Sequence, residues 1–87
     1  MNNVLFLPQG WDDYLYWQKQ DKRTARRINQ LIEDSRRSPF SGIGKPEPLK
    51  HNWSGWWSRR IDDTHHLVYK VEKDHLVIAA CRTHYGY

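Results

Sequence analysis

Glu47 stands between Pro46 and Pro48, with Lys45 and Lys50 close by in the chain. The two proline rings stiffen the backbone there, and neighbouring cations keep a carboxyl ionised, as a proton acceptor must be. Near the far end, Arg82 and His84 follow an apolar run. A histidine can return the proton that a carboxylate removes, so Glu47 and His84 form a candidate general base and general acid. Arg60, on a neighbouring β-type run, adds a cation to the set. Metal-free cleavage of RNA uses this equipment: a base takes the 2′-OH proton, cations offset charge on the in-line phosphorane, and an acid protonates the departing 5′-oxygen. DNA has no 2′-OH and cannot react this way. The bland alternative for Arg82 and His84 is a strand that has left the core and ends in water.

Other chemistries have less support. His65 and His66 are adjacent, so on a strand they face opposite ways, and no carboxylate stands at ligand spacing; no metal site and no cofactor are expected. Cys81 falls in an apolar run and reads as a buried small hydrophobe. Gly42-Ile43-Gly44 lacks the spacing and following helix of a phosphate loop. Trp53, Trp56 and Trp57 could stack on bases, yet in a small core they serve equally well as packing residues.

These residues must be positioned by a chain of 87 residues, enough for one domain spanning 1–87. Hydrophobic residues make up 38% and aromatics 14%, which supports a packed core without disulfides. A single cysteine excludes an internal disulfide framework and fits a reducing cytoplasm. The first residues lack a basic leader, and their apolar run ends at Pro8, so neither a signal peptide nor a membrane span is expected. The net charge of +4 allows an acidic partner. Basic pairs occur at Lys22-Arg23, Arg26-Arg27, Arg36-Arg37 and Arg59-Arg60. Most charge on a short helix is a solvated face, whereas Arg59 and Arg60 fall on a strand.

Residues 3–7 read as a strand, and Pro8 suits the first turn of a helix on which Trp11, Tyr14, Leu15 and Gln18 share helical spacing. Asp21 is a good N-cap for a second helix to about Arg37, with Ala25, Ile28, Leu31 and Ile32 as its apolar stripe. Residues 38–55 contain three of the four prolines and three of the five glycines, so regular structure is not expected over much of them. Three β-type runs follow at 56–61, 66–71 and 76–84, joined by connections of hairpin length. Strict alternation in the last run would place Leu76, Ile78, Ala80, Arg82 and His84 on one face. The order argues for an α+β fold: an N-terminal strand and a two-helix hairpin packed on a small antiparallel sheet. Composition and spacing alone stop at a small basic α+β domain with RNA as a candidate partner.

Longer motifs go further. Trp11-Asp12-Asp13-Tyr14-Leu15-Tyr16-Trp17, Gly44-Lys45-Pro46-Glu47-Pro48-Leu49-Lys50, Ser54-Gly55, Trp57-Ser58-Arg59-Arg60-Ile61, Leu67-Val68-Tyr69 and Cys81-Arg82 through His84-Tyr85 resemble the YoeB toxins of the RelE/ParE superfamily, over almost the entire chain. The resemblance implies the RelE/YoeB-like microbial RNase fold. It also implies a bacterial type II toxin that enters the A site of the 70S ribosome and cleaves mRNA there without metal, by 2′-OH attack. The implied partner is a YefM-type antitoxin whose disordered C-terminal region folds over the toxin, with operator DNA bound only through that complex. A homodimer is compatible with it, and a cytoplasmic location follows. Carried over by motif, Glu47 corresponds to the general base and His84 to the general acid, with Tyr85 beside the scissile phosphate. Lys50 and Arg60 match positions that contact or neutralise that phosphate, and Lys45, Arg59 and Arg82 complete the expected RNA-binding set.

Two departures stand out. Where the family has His-Arg before Leu-Val-Tyr, this chain has His65-His66, so His66 occupies the place of a catalytic arginine. An arginine is always charged and grips a phosphate in two places; a histidine with an ordinary pKa is mostly neutral at pH 7. The family also usually ends at His-Tyr, whereas Gly86 and Tyr87 follow here. The first departure motivates a competing reading, a catalytically weakened module kept for antitoxin binding and co-repression. A gyrase-poisoning relative fits less well, because such relatives do not need the Glu and His-Tyr constellation.

Overall fold

The computed structural model describes residues 1–83, with the side chain of Thr83 left aside. The elements run β1 (Asn3–Phe6), α1 (Pro8–Gln20), α2 (Lys22–Arg37), β2 (Glu47–Pro48), a 3₁₀ turn (His51–Trp53), β3 (Trp57–Arg60), β4 (His66–Glu72) and β5 (His75–Thr83). Two helices with a five-stranded sheet make an α+β fold. The sheet order is β1-β5-β4-β3-β2, and β1 lies parallel to β5. The sheet is therefore mixed rather than purely antiparallel. The helical hairpin between β1 and the later strands is what allows the parallel pairing, which a tight turn cannot make.

Asp21 alone joins the helices. Its backbone N–H closes α1 on Trp17 O, while its carboxylate accepts from the N–H groups of Arg23 and Thr24 and caps α2. Ala25, Ile28, Leu31 and Ile32 of α2 enter the core, as their spacing predicts. On α1 the expected stripe faces inward only in part: Tyr14 packs against the core, whereas Trp11 and Leu15 are each 46% exposed, and the buried residues are Gly10, Asp13 and Trp17. The reason lies in β5. Gly10 sits so close to Ile78 O that a Cβ there would collide with the carbonyl, so α1 approaches the strand through this glycine.

Strand β5 also breaks its own alternation. Ile78 pairs with Tyr69, but Ala80 pairs with Val68 and Thr83 with His66, so β5 carries extra residues at two places. Leu76 and Ile78 face the core shared with the helices, and Cys81 joins that core instead of Ala80. The expected single face of Leu76, Ile78, Ala80 and Arg82 is thus corrected; His84 lies outside the described residues. The irregular backbone at Cys81 is satisfied by α1: its N–H donates to Asp13 Oδ2 at 3.0 Å, and its carbonyl accepts from Trp17 Nε1 at 2.7 Å. Burial pushes the Cys81 thiol up to about 12, which leaves it inert as a nucleophile.

Candidate active site

Registers of the short strands define the site. Glu47 pairs with Ser58, Ser58 with Val68, and Val68 with Ala80, so one row crosses β2, β3, β4 and β5. One step along β3, Arg60 pairs with His66. Residues two apart on a strand share a face, so Glu47, Ser58, Arg60, His66 and Val68 lie together, away from the helices. Trp57, Arg59, Leu67 and Tyr69 occupy the other face. Ser58, Val68 and Ala80 are buried along the middle of the row, while Glu47 and Arg60 at its margin are exposed.

Residues 44–49 run as an edge against β3. Arg60 N donates to Gly44 O at 2.7 Å and Leu49 N to Trp56 O at 2.9 Å, on either side of the Glu47–Ser58 pair. Proline on both sides of Glu47 fits an edge strand, because its outward side needs no ladder donor. Lys45 adopts the left-handed conformation at φ 52°, which is uncommon for a residue with a side chain. Lys45 and Lys50 are both exposed, on either side of Glu47. The long segment expected to be irregular thus brings Lys45, Glu47 and Lys50 alongside Arg60. Arg60 Nη2 meets Asp63 Oδ1 at 2.9 Å, an exposed pair that competes little with a phosphate.

Arg59 corrects an expectation. Its side chain is fully buried, with Nε donating to Tyr69 Oη at 3.0 Å and Nη1 pairing with Asp34. The same guanidinium donates to the carbonyls of Ile43, Ser38 and Ser41 at 3.0, 2.6 and 2.9 Å. With its donors taken by the protein, Arg59 is no phosphate ligand; it ties residues 38–43 to the core. Gly42, at φ +119°, lies so close to Asp34 that a Cβ would strike the carboxylate. Tyr69 completes the hub by donating to Pro39 O at 2.6 Å, and burial pushes its phenol up.

The hub has a pH signature. The hydrogen bond from Arg59, then that from Ile43 N, holds the Asp34 carboxyl below its ordinary value of 3.8. A depressed folded pKa contributes stability that is present above the unfolded value and is lost as pH falls through the folded one. Asp34→Asn is therefore expected to flatten the fall in melting temperature on acidification below about pH 4. An acid limb as steep as the parent's would show that other carboxylates govern it.

Of the remaining predicted residues, Arg82 is exposed, with its guanidinium carbon 3.5 Å from the ring centroid of Tyr16. His65 packs edge-on against Trp17 on the helix side, at 4.9 Å between ring centroids, whereas His66 shares the face of Arg60. His84 and Tyr85 lie outside the described residues. Among the described residues, no group of three His, Cys, Asp or Glu could hold a metal, and no helix is long and apolar enough to cross a membrane. Reading the sequence missed Asp13, because its partner is a backbone N–H exposed only by the irregular course of β5.

The profile of the YoeB-like toxin of bacterial type II toxin-antitoxin systems matches residues 6–85. The toxin YoeB of Escherichia coli strain K12 is 62% identical over 82 residues, covering 94% of this chain and 98% of that protein. The structure of a YoeB dimer from Staphylococcus aureus superposes with a TM-score of 0.89 at 46% identity, covering 97% of this chain and 98% of that one. A YoeB-YefM complex from Staphylococcus aureus gives 0.89 at 44% identity, over 98% of this chain and 99% of that one. Since profile, sequence and fold agree over nearly the whole length, the chain belongs to the YoeB-like toxins of bacterial type II toxin-antitoxin systems.

Proposed function

We propose that this toxin is an endoribonuclease that cuts mRNA in the ribosomal A site, in the cytoplasm, with protein side chains supplying every proton and charge. The observation that supports this reading best is the shared sheet face of Glu47, Arg60 and His66, with Lys45 and Lys50 at its edge. Glu47 accepts the proton of the ribose 2′-OH, and the freed oxygen attacks the adjacent phosphorus. Arg60 and Lys50 offset the charge that builds on the phosphorane oxygens. The P–O5′ bond breaks, His84 protonates the departing 5′-oxygen, and a cyclic phosphate remains on the other fragment. Tyr85 orders the scissile phosphate. A YefM-type antitoxin with an acidic, largely disordered tail neutralises the cationic face by ordering on it. Mapping mRNA ends after incubation with programmed 70S ribosomes tests the reading: cuts inside the A-site codon are expected, and intact mRNA with active ribosomes would refute it.

The second reading, a weakened co-repressor module, is favoured by one observation: a histidine, not an arginine, stands opposite Arg60. His66→Arg separates the two. A permanent cation there is expected to raise the cleavage rate about tenfold or more, because a lost transition-state donor commonly costs about 10²–10³. If Arg82 fills the vacancy, His66→Arg changes little and Arg82→Ala is severe. Equal rates in parent and both variants would show that the position needs no cation.

A further inference from the structure

The carbonyl of Arg60 lacks the strand partner that its position calls for. On the β4 side the Ile61 N–H donates to His65 O at 2.9 Å, so by the alternation of an antiparallel ladder the backbone polar groups of Arg60 point the other way, toward β2. Continuing the Glu47–Ser58 register sets Lys45 opposite Arg60, where its N–H would serve that carbonyl. Lys45 is instead turned into the left-handed region at φ 52°, and the Arg60 N–H bonds one residue earlier in the chain, to Gly44 O at 2.7 Å. The donor that reaches Arg60 O comes from α2: it is Nη2 of Arg27, at 3.2 Å.

Arg27 is half-buried and, among the described residues, pairs with no carboxylate. Charge pairing therefore does not account for its place. One turn further along the same face of α2 stands Leu31, which a Cβ on Gly44 would meet at 2.7 Å. This helix face thus holds both halves of the junction, Gly44 through packing and Arg60 through its carbonyl. With N–H and carbonyl both tethered, the last residue of β3 keeps its backbone direction just before the turn at 61–65, and that direction sets where the Arg60 guanidinium can reach. A cavity of about 320 Å³ adjoins Arg27, Arg60 and Asp63. Water from it can satisfy the carbonyl once the guanidinium is gone, so the fold tolerates the loss; a water does not fix an angle.

We propose that Arg27 is a positioning residue, which aims Arg60 at the reacting phosphate by tethering its backbone carbonyl to α2. The role of Arg60 rests on the ribonuclease reading, whereas the tether can be tested without cleavage. In the full chain, Arg27→Met should speed hydrogen exchange of the Arg60 amide about three- to tenfold, the loss of one exposed hydrogen bond. Exchange at Leu67 and Tyr69 should not change, and Tm should stay within a few degrees of the parent's. On programmed 70S ribosomes Arg27→Met should lower kcat about ten- to a hundredfold, as misplacing a group in the site does, with KM within about twofold. Arg27→Lys should recover most of the rate, because a single acceptor needs only one donor. Unchanged Arg60 exchange in Arg27→Met would overturn the proposal. So would a loss of activity carried by KM alone, which would make Arg27 a surface cation that meets the ribosome. A parent that cuts nothing, while Arg60 exchange still responds to Arg27→Met, would remove the ribonuclease reading and leave the tether standing; equal kcat in parent and Arg27→Met would do the reverse.

Discussion

Glu47→Gln is expected to slow cleavage of ribosome-bound mRNA by about 10²-fold or more, with a similar loss in His84→Ala. Glutamine keeps the shape of the side chain and can still accept a hydrogen bond, but it cannot take up the 2′-OH proton. The fold has little stake in the change, since Glu47 is exposed on a two-residue strand held by backbone pairing with Ser58. Thermal melting of Glu47→Gln should therefore match the parent's. A base that must be deprotonated and an acid that must be protonated also predict a bell-shaped pH profile for the parent. Loss of the base should remove its acid limb. Cleavage at the parent rate by either variant, at saturating ribosomes, would remove that residue from its role.

Arg59→Met should instead destabilise the protein, by about 3–5 kcal/mol, the usual cost of breaking a buried ion pair. In a domain of 87 residues that lowers Tm by more than about 10 °C. The substitution leaves the carbonyls of Ser38, Ser41 and Ile43 without their donor and strips Asp34 of its cation. Arg59→Lys should rescue little of this, because a single ammonium cannot reach acceptors arranged around a planar fork. By contrast, Arg60→Ala should melt close to the parent, since its ion pair with Asp63 is exposed, while losing cleavage. Melting of Arg59→Met at the parent temperature would show that residues 38–43 hold their place without the hub.

The helices were legible because their signals are local. Asp21 stands immediately before α2 with the side chain an N-cap needs, and the stripe from Ala25 to Ile32 repeats at the helical period. The Gly44–Lys50 and His84–Tyr85 motifs identified the family in the same way, residue by residue along the chain. Alternation misled in β5, because nothing in its run of small and apolar residues marks where an extra residue enters. That irregularity is decided by what α1 offers, a carboxylate for the Cys81 N–H and an indole N–H for its carbonyl.

The adjacent arginines show the division most sharply. Strand geometry, read from sequence, requires Arg59 and Arg60 to point to opposite faces. It does not say which one is buried. A guanidinium can be taken out of water only where acceptors converge on all its edges, and here they come from Asp34 on α2, from Ser38, Ser41 and Ile43, and from Tyr69 on β4. The sequence by itself determined the helices, the family and the candidate groups for the proposed chemistry. Only the tertiary structure decided which of those groups remain free for a substrate, because that depends on partners contributed by segments far apart in the chain.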